Sequence, residues 1–180
     1  MTHPSLARLT ALVPPPSTRR SPDWSPVEAA LGSPLPDDYK RIIETYGGGV
    51  FDETIWVLEP GCSDEDYDLL AEAEACGDAL AGLWAAGEPQ PAALRAEGAR
   101  VIPWAYVEGA GHYLYWLAGP GQEPAEWTVL LNEGRGPEWE HHALTCAGFL
   151  VGVLTGEVES CYVGGLADGP HTFTPNADIL

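Results

Sequence analysis

The sequence predicts an α+β fold in which one mostly antiparallel, mixed sheet of about five to six strands packs against helices. Three observations lead there: two helices with clear start and stop signals in residues 24–47, three closely spaced apolar runs in residues 101–131, and an apolar helical segment in residues 145–154. The chain has 180 residues, of which 45% are apolar. This is the size of one domain with a core that needs no disulfide or metal.

The first two helices are the most legible part of the chain. Ser25 is expected to cap the first one, with Glu28 completing a capping box and Gly32 ending the helix in a left-handed conformation. Pro36 is expected to open the second helix, which ends at Gly47. Its apolar stripe has the spacing i, i+3, i+4 and i+7 and consists of Tyr39, Ile42, Ile43 and Tyr46.

A strand and an acidic helix are predicted next. Residues 50–58 have the β-branched and aromatic content of one strand, closed by Pro60 and Gly61. Ser63 is expected to cap a helix that runs to about residue 84. Carboxylates fill its first turn and its predicted solvent side: Asp64, Glu65, Asp66, Asp68 and Glu72.

The sheet is predicted mainly from residues 101–107, 113–117 and 127–131. These runs are separated by Gly/Pro turns of hairpin length, which favours neighbouring antiparallel strands. Residues 137–141 are expected to add a strand, residues 145–154 to form a helix stopped by Gly156, and residues 157–163 to form an edge strand.

The chain divides into three predicted parts. Residues 1–23 read as a short helix with a Pro-rich linker, residues 24–163 as the domain, and residues 164–180, rich in Gly, Pro and Asp, as an extended or partly disordered tail. The apolar residues 6–13 are too short to span a bilayer and do not resemble a signal peptide. The four cysteines have no C-x-x-C pairing, so we expect reduced thiols in a cytoplasmic protein.

Charge is the strongest compositional signal. The chain carries 27 acidic and 8 basic residues, a formal net charge of -19. Such a surface repels nucleic acid and anionic lipid and attracts basic proteins, so we expect a protein partner and neither direct nucleic-acid nor membrane binding. The alternative is that the acidity only keeps the chain soluble.

A partner-binding face is predicted around the acidic helix start. Carboxylates there would steer a basic partner, and aromatic side chains would anchor it, Tyr106 among them. The predicted partner-binding residues are Asp52, Glu53, Trp56, Asp64, Glu65, Asp66, Tyr67, Asp68, Glu108 and Tyr113. The alternative is that the acidic run is only a solvated helix start, since carboxylates favour helix N-termini.

No catalytic signature accompanies this charge. The sequence has no G-x-S-x-G elbow, and its Gly47–Gly49 run lacks the Lys and Ser/Thr of a phosphate loop. The histidines His141 and His142, with His112, Cys146, Glu138 and Glu140 nearby, are the one cluster that suggests a metal. Adjacent histidines on a strand point to opposite faces, so we expect no metal, no cofactor and no catalytic residue.

The order of several short motifs resembles the SMI1/KNR4 family of the SUKH superfamily. The resemblance lies in Leu31-Gly32, Leu35-Pro36, Tyr39 and Tyr46-Gly47-Gly48, and continues through residues 101–104, 111–117, 127–133 and 149–157. It implies that family's fold and a non-enzymatic binding protein. Members are mostly bacterial immunity proteins that neutralise a toxin, often a nuclease, while fungal members are regulators.

One position departs from the family pattern. Where related sequences usually carry an acidic or amide residue after the glycine of the second central strand, this chain has His112. The resemblance predicts a toxin-neutralising immunity protein, and if His112 touches the partner, its cognate toxin differs from those of acidic relatives. Two alternatives stay open: a regulatory or scaffolding member without a toxin partner, and a small metal-binding hydrolase.

Overall fold

The structure is a computed structural model that describes residues 4–18, 20–134, 136–164, 166 and 168–180. The α-helices in these ranges are α1 (Pro4–Leu12), α2 (Ser25–Leu31), α3 (Asp37–Tyr46), α4 (Leu69–Ala85) and α5 (Cys146–Thr155). The strands are β1 (Gly49–Phe51), β2 (Ile55–Val57), β3 (Arg100–Val107), β4 (His112–Ala118), β5 (Thr128–Asn132), β6 (Trp139–His142) and β7 (Phe173–Pro175).

All seven strands belong to one sheet of order β6-β5-β4-β3-β2-β1-β7, and every neighbouring pair is antiparallel. This confirms the α+β class with a single sheet, with one or two strands more than predicted. One extra strand arises because residues 50–58 form a hairpin where one strand was expected. Asp52 and Glu53 turn the chain there with φ of 48° and 53°, and the Thr54 N–H donates to the carbonyl of Phe51.

The other extra strand is β7, within the predicted tail. Phe173 pairs with Phe51 and Thr174 with Val50, so residues 173–175 form the sheet edge beside β1. The predicted edge strand at residues 157–163 is wrong, because the Ser160 hydroxyl accepts from the N–H groups of Tyr162 and Val163 and bends the chain. Residues 165 and 167 of the predicted tail lie outside the described residues.

One face of the sheet packs against α1, α3 and α5 to form the main core. The predicted stripe of α3 is buried there as expected, and the Tyr39 ring meets Trp116 edge-on at 4.9 Å between centroids. Helix α1 belongs to this core too, since Leu9 is fully buried and the Tyr46 hydroxyl donates to the carbonyl of Val13. Residues 1–3 and 19 of the predicted N-terminal part lie outside the described residues.

The helix ends agree only partly with the predicted caps. Gly32 has the expected left-handed conformation, with φ of 70°. The capping box at Ser25 is wrong, because the Glu28 carboxylate turns away from it. That carboxylate accepts from the Leu35 N–H and pairs with Lys40, so it joins α2 to α3.

The opposite face of the sheet is covered by helix only in part, and the candidate functional site lies on this face. Helix α4 lies over β3 and β4, with Cys76 and Leu80 packed on Tyr115 and Leu130. Beyond α4, the sheet presents aromatic rings rather than a second complete layer. The two faces therefore differ: one is buried in the main core, and the other is partly exposed to solvent.

Candidate functional site: an acidic, tyrosine-lined face

A row of aromatic side chains crosses this partly covered face. It comprises Trp56, Tyr67, Tyr106, Tyr113, Tyr115 and Trp139, and we call it the aromatic row. Neighbouring ring centroids lie between 4.1 and 6.2 Å apart. Strand register produces it, because Trp56 faces Tyr106 across β2 and β3, and Tyr106 faces Tyr113 across β3 and β4.

Carboxylates border the aromatic row. The Tyr106 hydroxyl donates to Glu108 Oε2 at 2.9 Å, and Glu72 lies beside the Tyr113 hydroxyl. Burial, together with these acids, raises the pKa of both tyrosines above the usual range. Their hydroxyls therefore remain protonated at physiological pH and keep a proton to donate.

A cleft of about 490 Å³ opens where α4 meets the β3–β4 turn. Its lining residues are Glu72, Ala75, Cys76, Ala79, Leu80, Ala110, Gly111, Tyr113, Tyr115, Glu133 and Gly134. We call this space the cleft. The cleft is open because the residues on its walls are mostly alanines and glycines, while two tyrosines form its floor.

The carboxylate of Glu72 is the unusual group in the cleft. The residue is only 9% exposed, and burial raises the pKa of its carboxyl, with the charge of Asp66 adding to the effect. The Cys76 Sγ lies 3.9 Å from Glu72 Oε2, and burial raises the pKa of that thiol to about 12. Cys76 is thus a protonated neighbour and not a nucleophile at neutral pH.

The start of α4 places Glu72, and it corrects two predictions. Asp68 caps the helix, because its Oδ1 accepts from the N–H groups of Leu70 and Ala71 at 2.9 and 2.8 Å. Ser63 is therefore not the cap, and Glu72 falls one turn later on the sheet side instead of in solvent. Asp68 has a further structural contact, since its Oδ2 accepts from the Gly61 N–H; its contact with a partner stays a prediction.

The rest of the acidic run forms a separate short turn. Residues 65–67 are a 3-10 turn, and the Asp64 side chain caps it by accepting from the Asp66 N–H. Glu65 and Asp66 are exposed, and Tyr67 stacks on Trp56 at 4.1 Å. The turn thus delivers Asp66 and Tyr67 to the face that carries Glu108 and Tyr113.

Two predicted partner residues are occupied inside the protein. Trp56 is 5% exposed, so the expectation of an exposed anchor is wrong, and its Nε1 donates to Asn176 Oδ1 at 2.9 Å. Asp52 accepts from the Thr172 N–H and faces His171 Nδ1, both at 2.7 Å. Glu53 is exposed on the β1–β2 turn, next to Glu108, whose N–H donates to the Thr54 carbonyl.

The histidines do not converge. His141 contacts Thr128 Oγ1, His142 contacts Glu140 Oε1 at 2.5 Å, and His112 lies against Tyr162. Within the described residues, no group of three His, Cys, Asp or Glu side chains is placed to hold a metal ion. The same part of the chain has no helix with the length and apolar character that crossing a bilayer requires.

Sequence reasoning missed four contributors to this face: Glu72, Tyr115, Glu133 and Trp139. A signal existed for two of them. Alternation along residues 113–117 puts Tyr115 on the same side as Tyr113, and Glu72 stands four residues before Cys76, on the same side of the helix. Glu133 follows β5, and its place on the wall depends on how the β5–β6 connection meets the β3–β4 turn.

Four of the described basic residues have partners away from the cleft. Arg8 pairs with Glu157, Arg20 with Glu59, and Lys40 with Glu28, while Arg100 donates to the Leu31 carbonyl. None of the described residues that line the cleft is basic; Arg135, which follows Gly134, lies outside the described residues. The lining thus combines carboxylates with aromatic rings.

Comparisons of the chain with protein-family models, with curated proteins and with solved structures give no significant match. The geometry of the acidic, tyrosine-lined face and the sequence resemblance are therefore what bears on function.

Proposed function

We propose that this chain is a non-enzymatic binding protein that neutralises a basic toxin domain, of the nuclease type, by direct contact. The observation that carries the proposal is the aromatic row bordered by Asp66, Glu72 and Glu108 on a chain of net charge -19. The sequence resemblance to SMI1/KNR4 immunity proteins supports the toxin as partner and the producing cell's cytoplasm as the place of action.

The face has the composition of a binding surface. Tyrosine is enriched among the residues that contribute most to protein binding, because it buries a large rigid area and retains a hydrogen-bonding hydroxyl. Tyr67, Tyr106 and Tyr113 are half-buried, so each ring is held by neighbours and loses little conformational freedom when a partner covers it. A contact there would be preorganised.

The negative charge would speed association with a basic partner and disfavour acidic ones. Complementary charge steers association and can raise the rate constant toward about 10⁸–10⁹ M⁻¹s⁻¹ at low salt. A nuclease presents a basic channel to its nucleic-acid substrate. An acidic protein bound over that channel would block it with charge of the same sign as the nucleic-acid substrate. Inhibition of this kind requires binding only and no catalysis by the inhibitor.

The proposal implies that a toxin domain is encoded beside this chain, and the test is to mix the two purified proteins and to measure stoichiometry, inhibition and association rate. We expect a one-to-one complex, loss of nuclease activity at equimolar ratio, and association that slows as salt rises. The double variant Asp66→Lys with Glu108→Lys should reduce the association rate constant at low salt by about tenfold or more.

A matched control separates the local face from the total charge. Glu97→Lys with Glu159→Lys changes the net charge equally at exposed sites away from the cleft, and should slow association far less. Equal slowing in both double variants would remove this face from the interface, and failure to form a complex would contradict the proposal. A complex without inhibition would favour the regulatory or scaffolding role.

A further inference from the structure

Of the three buried acids that the structure describes, Glu72 alone has neither a cationic partner nor a backbone N–H donor among the described residues. Asp38 is 4% exposed and accepts from the Ala147 N–H, and Glu59 is 6% exposed and pairs with Arg20. Glu72, more than nine-tenths buried, forms no ion pair within the described residues. Its side-chain neighbours Cys76 and Tyr113 are uncharged donors. A buried carboxylate without a cationic partner is unfavourable, so its position needs a reason.

The cleft around Glu72 has the size and lining of a site that can hold a small group. The cleft's volume of about 490 Å³ lies within the range of about 300–1,000 Å³ that is typical of small-ligand sites. The half-buried Tyr113 offers ring surface on its floor, Tyr115 lies beneath at 2% exposure, and Glu133 adds a second carboxylate on its wall. Ala75 and Ala79 leave the space open on the side of α4.

We propose that the cleft receives one arginine side chain of the partner, whose guanidinium stacks on the Tyr113 ring and donates to Glu72. This rests on the proposed function, which makes the partner a basic protein. Arginine fits better than lysine for two reasons. Its planar guanidinium stacks on aromatic rings and binds carboxylate through two parallel N–H groups, and it is more weakly hydrated than an ammonium group, so it enters a buried site more readily.

The first experiment uses small probes on the full chain. Backbone amide shifts are followed by NMR while n-propylguanidinium, n-propylammonium or the neutral isostere N-propylurea is added. We expect saturable shifts at Gly111, Gly134, Ala75 and Ala79 with n-propylguanidinium, weaker binding of n-propylammonium, and binding of N-propylurea weaker by about tenfold or more, the cost of one charge-assisted contact.

Two variants of equal charge complete the test. Glu72→Gln keeps the shape of the side chain and should weaken n-propylguanidinium binding by about tenfold or more. Glu74→Gln removes one charge from the exposed side of α4 and should change the affinity by less than about twofold. Equal affinities in the two variants, equal binding of the urea, or the lack of saturable shifts would overturn the proposal.

The same two variants separate this inference from the proposed function. In the complex with the neighbouring toxin domain, Glu72→Gln should raise Kd by about tenfold or more, while Glu74→Gln should leave Kd nearly unchanged. A tight complex with equal Kd in both variants would overturn the arginine site and leave the proposed function standing. Guanidinium binding in the cleft without any toxin complex would support the site and overturn the toxin as partner.

Discussion

At the scale of single residues, Glu72 is a buried charge in the candidate site that costs the free protein stability. Glu59 is equally buried but has Arg20 and Asn176 as partners, so its charge is compensated within the fold. Among the described residues, the hydrogen-bonding neighbours of Glu72 are the Cys76 thiol and the Tyr113 hydroxyl, and the Asp66 charge lies near it. Residues that bind partners are often imperfectly satisfied in the free protein, because their best contacts form in the complex.

The first prediction is that Glu72→Gln stabilises the free protein at neutral pH. Burial raises the pKa of the folded carboxyl, so the folded state holds this proton more tightly than the unfolded state. This contribution to the free energy of unfolding is fully present below the pKa of the carboxyl in the unfolded chain, which is about 4.3. It is lost as pH rises through the pKa of the carboxyl in the folded protein.

The advantage of Glu72→Gln over wild type should therefore grow across this window and level off above it. Urea unfolding from pH 4 to pH 8 measures the difference, and Glu74→Gln provides the control that should show none. A difference independent of pH would contradict the assignment.

At the scale of elements, α4 depends strongly on its first turn. Its buried positions are few, namely Leu69, Glu72, Cys76 and Leu80, and its interior contains Gly77 and Gly82. Each interior glycine weakens a helix by about 1 kcal/mol relative to alanine. The N-cap contacts of Asp68 therefore carry a large share of the local stability, and they hold Glu72 over the sheet.

The second prediction is that Asp68→Ala lowers the free energy of unfolding by about 1–2 kcal/mol, the cost of a lost N-cap. The neighbouring exposed variant Asp66→Ala should change it by less than about 0.5 kcal/mol. Urea unfolding followed by circular dichroism makes the comparison. If the two variants cost the same, Asp68 is only one charge among several, as the acidic run by itself had suggested.

At the scale of the whole molecule, the C-terminal segment closes one end of the aromatic row. Asn176 donates to Glu59 Oε2 and accepts from Trp56 Nε1, while its N–H donates to the Gly48 carbonyl. Trp56 is buried because of this closure, so the exposed part of the row begins at Tyr67 and Tyr106. Residues far apart in the chain thus define where the exposed part of the aromatic row ends.

The third prediction is that Asn176→Ala lowers the free energy of unfolding by about 1–3 kcal/mol, because it leaves the Trp56 Nε1 group buried without a partner. Hydrogen exchange should also quicken at β7. Asp178→Ala, at an exposed position two residues on, should stay within about 0.5 kcal/mol of wild type. Unchanged stability in Asn176→Ala would show that the closure contributes little.

Local patterns in the sequence determined the fold class, the buried stripe of α3, the strands of the central meander and the C-terminal ends of α2 and α5. These follow from periodicity and glycine stops within about ten residues. Much of the candidate site was also legible, since Tyr67, Glu108 and Tyr113 share one face as expected.

Only the tertiary structure decided which acids are free and which are occupied. Asp52 meets His171 across 119 residues and Trp56 meets Asn176 across 120, and such pairings leave no local pattern to read. The same holds for Glu72, whose burial depends on where α4 settles on the sheet. Short-range propensity forms the elements, but burial and charge compensation are set by long-range packing, and here that packing shapes the cleft.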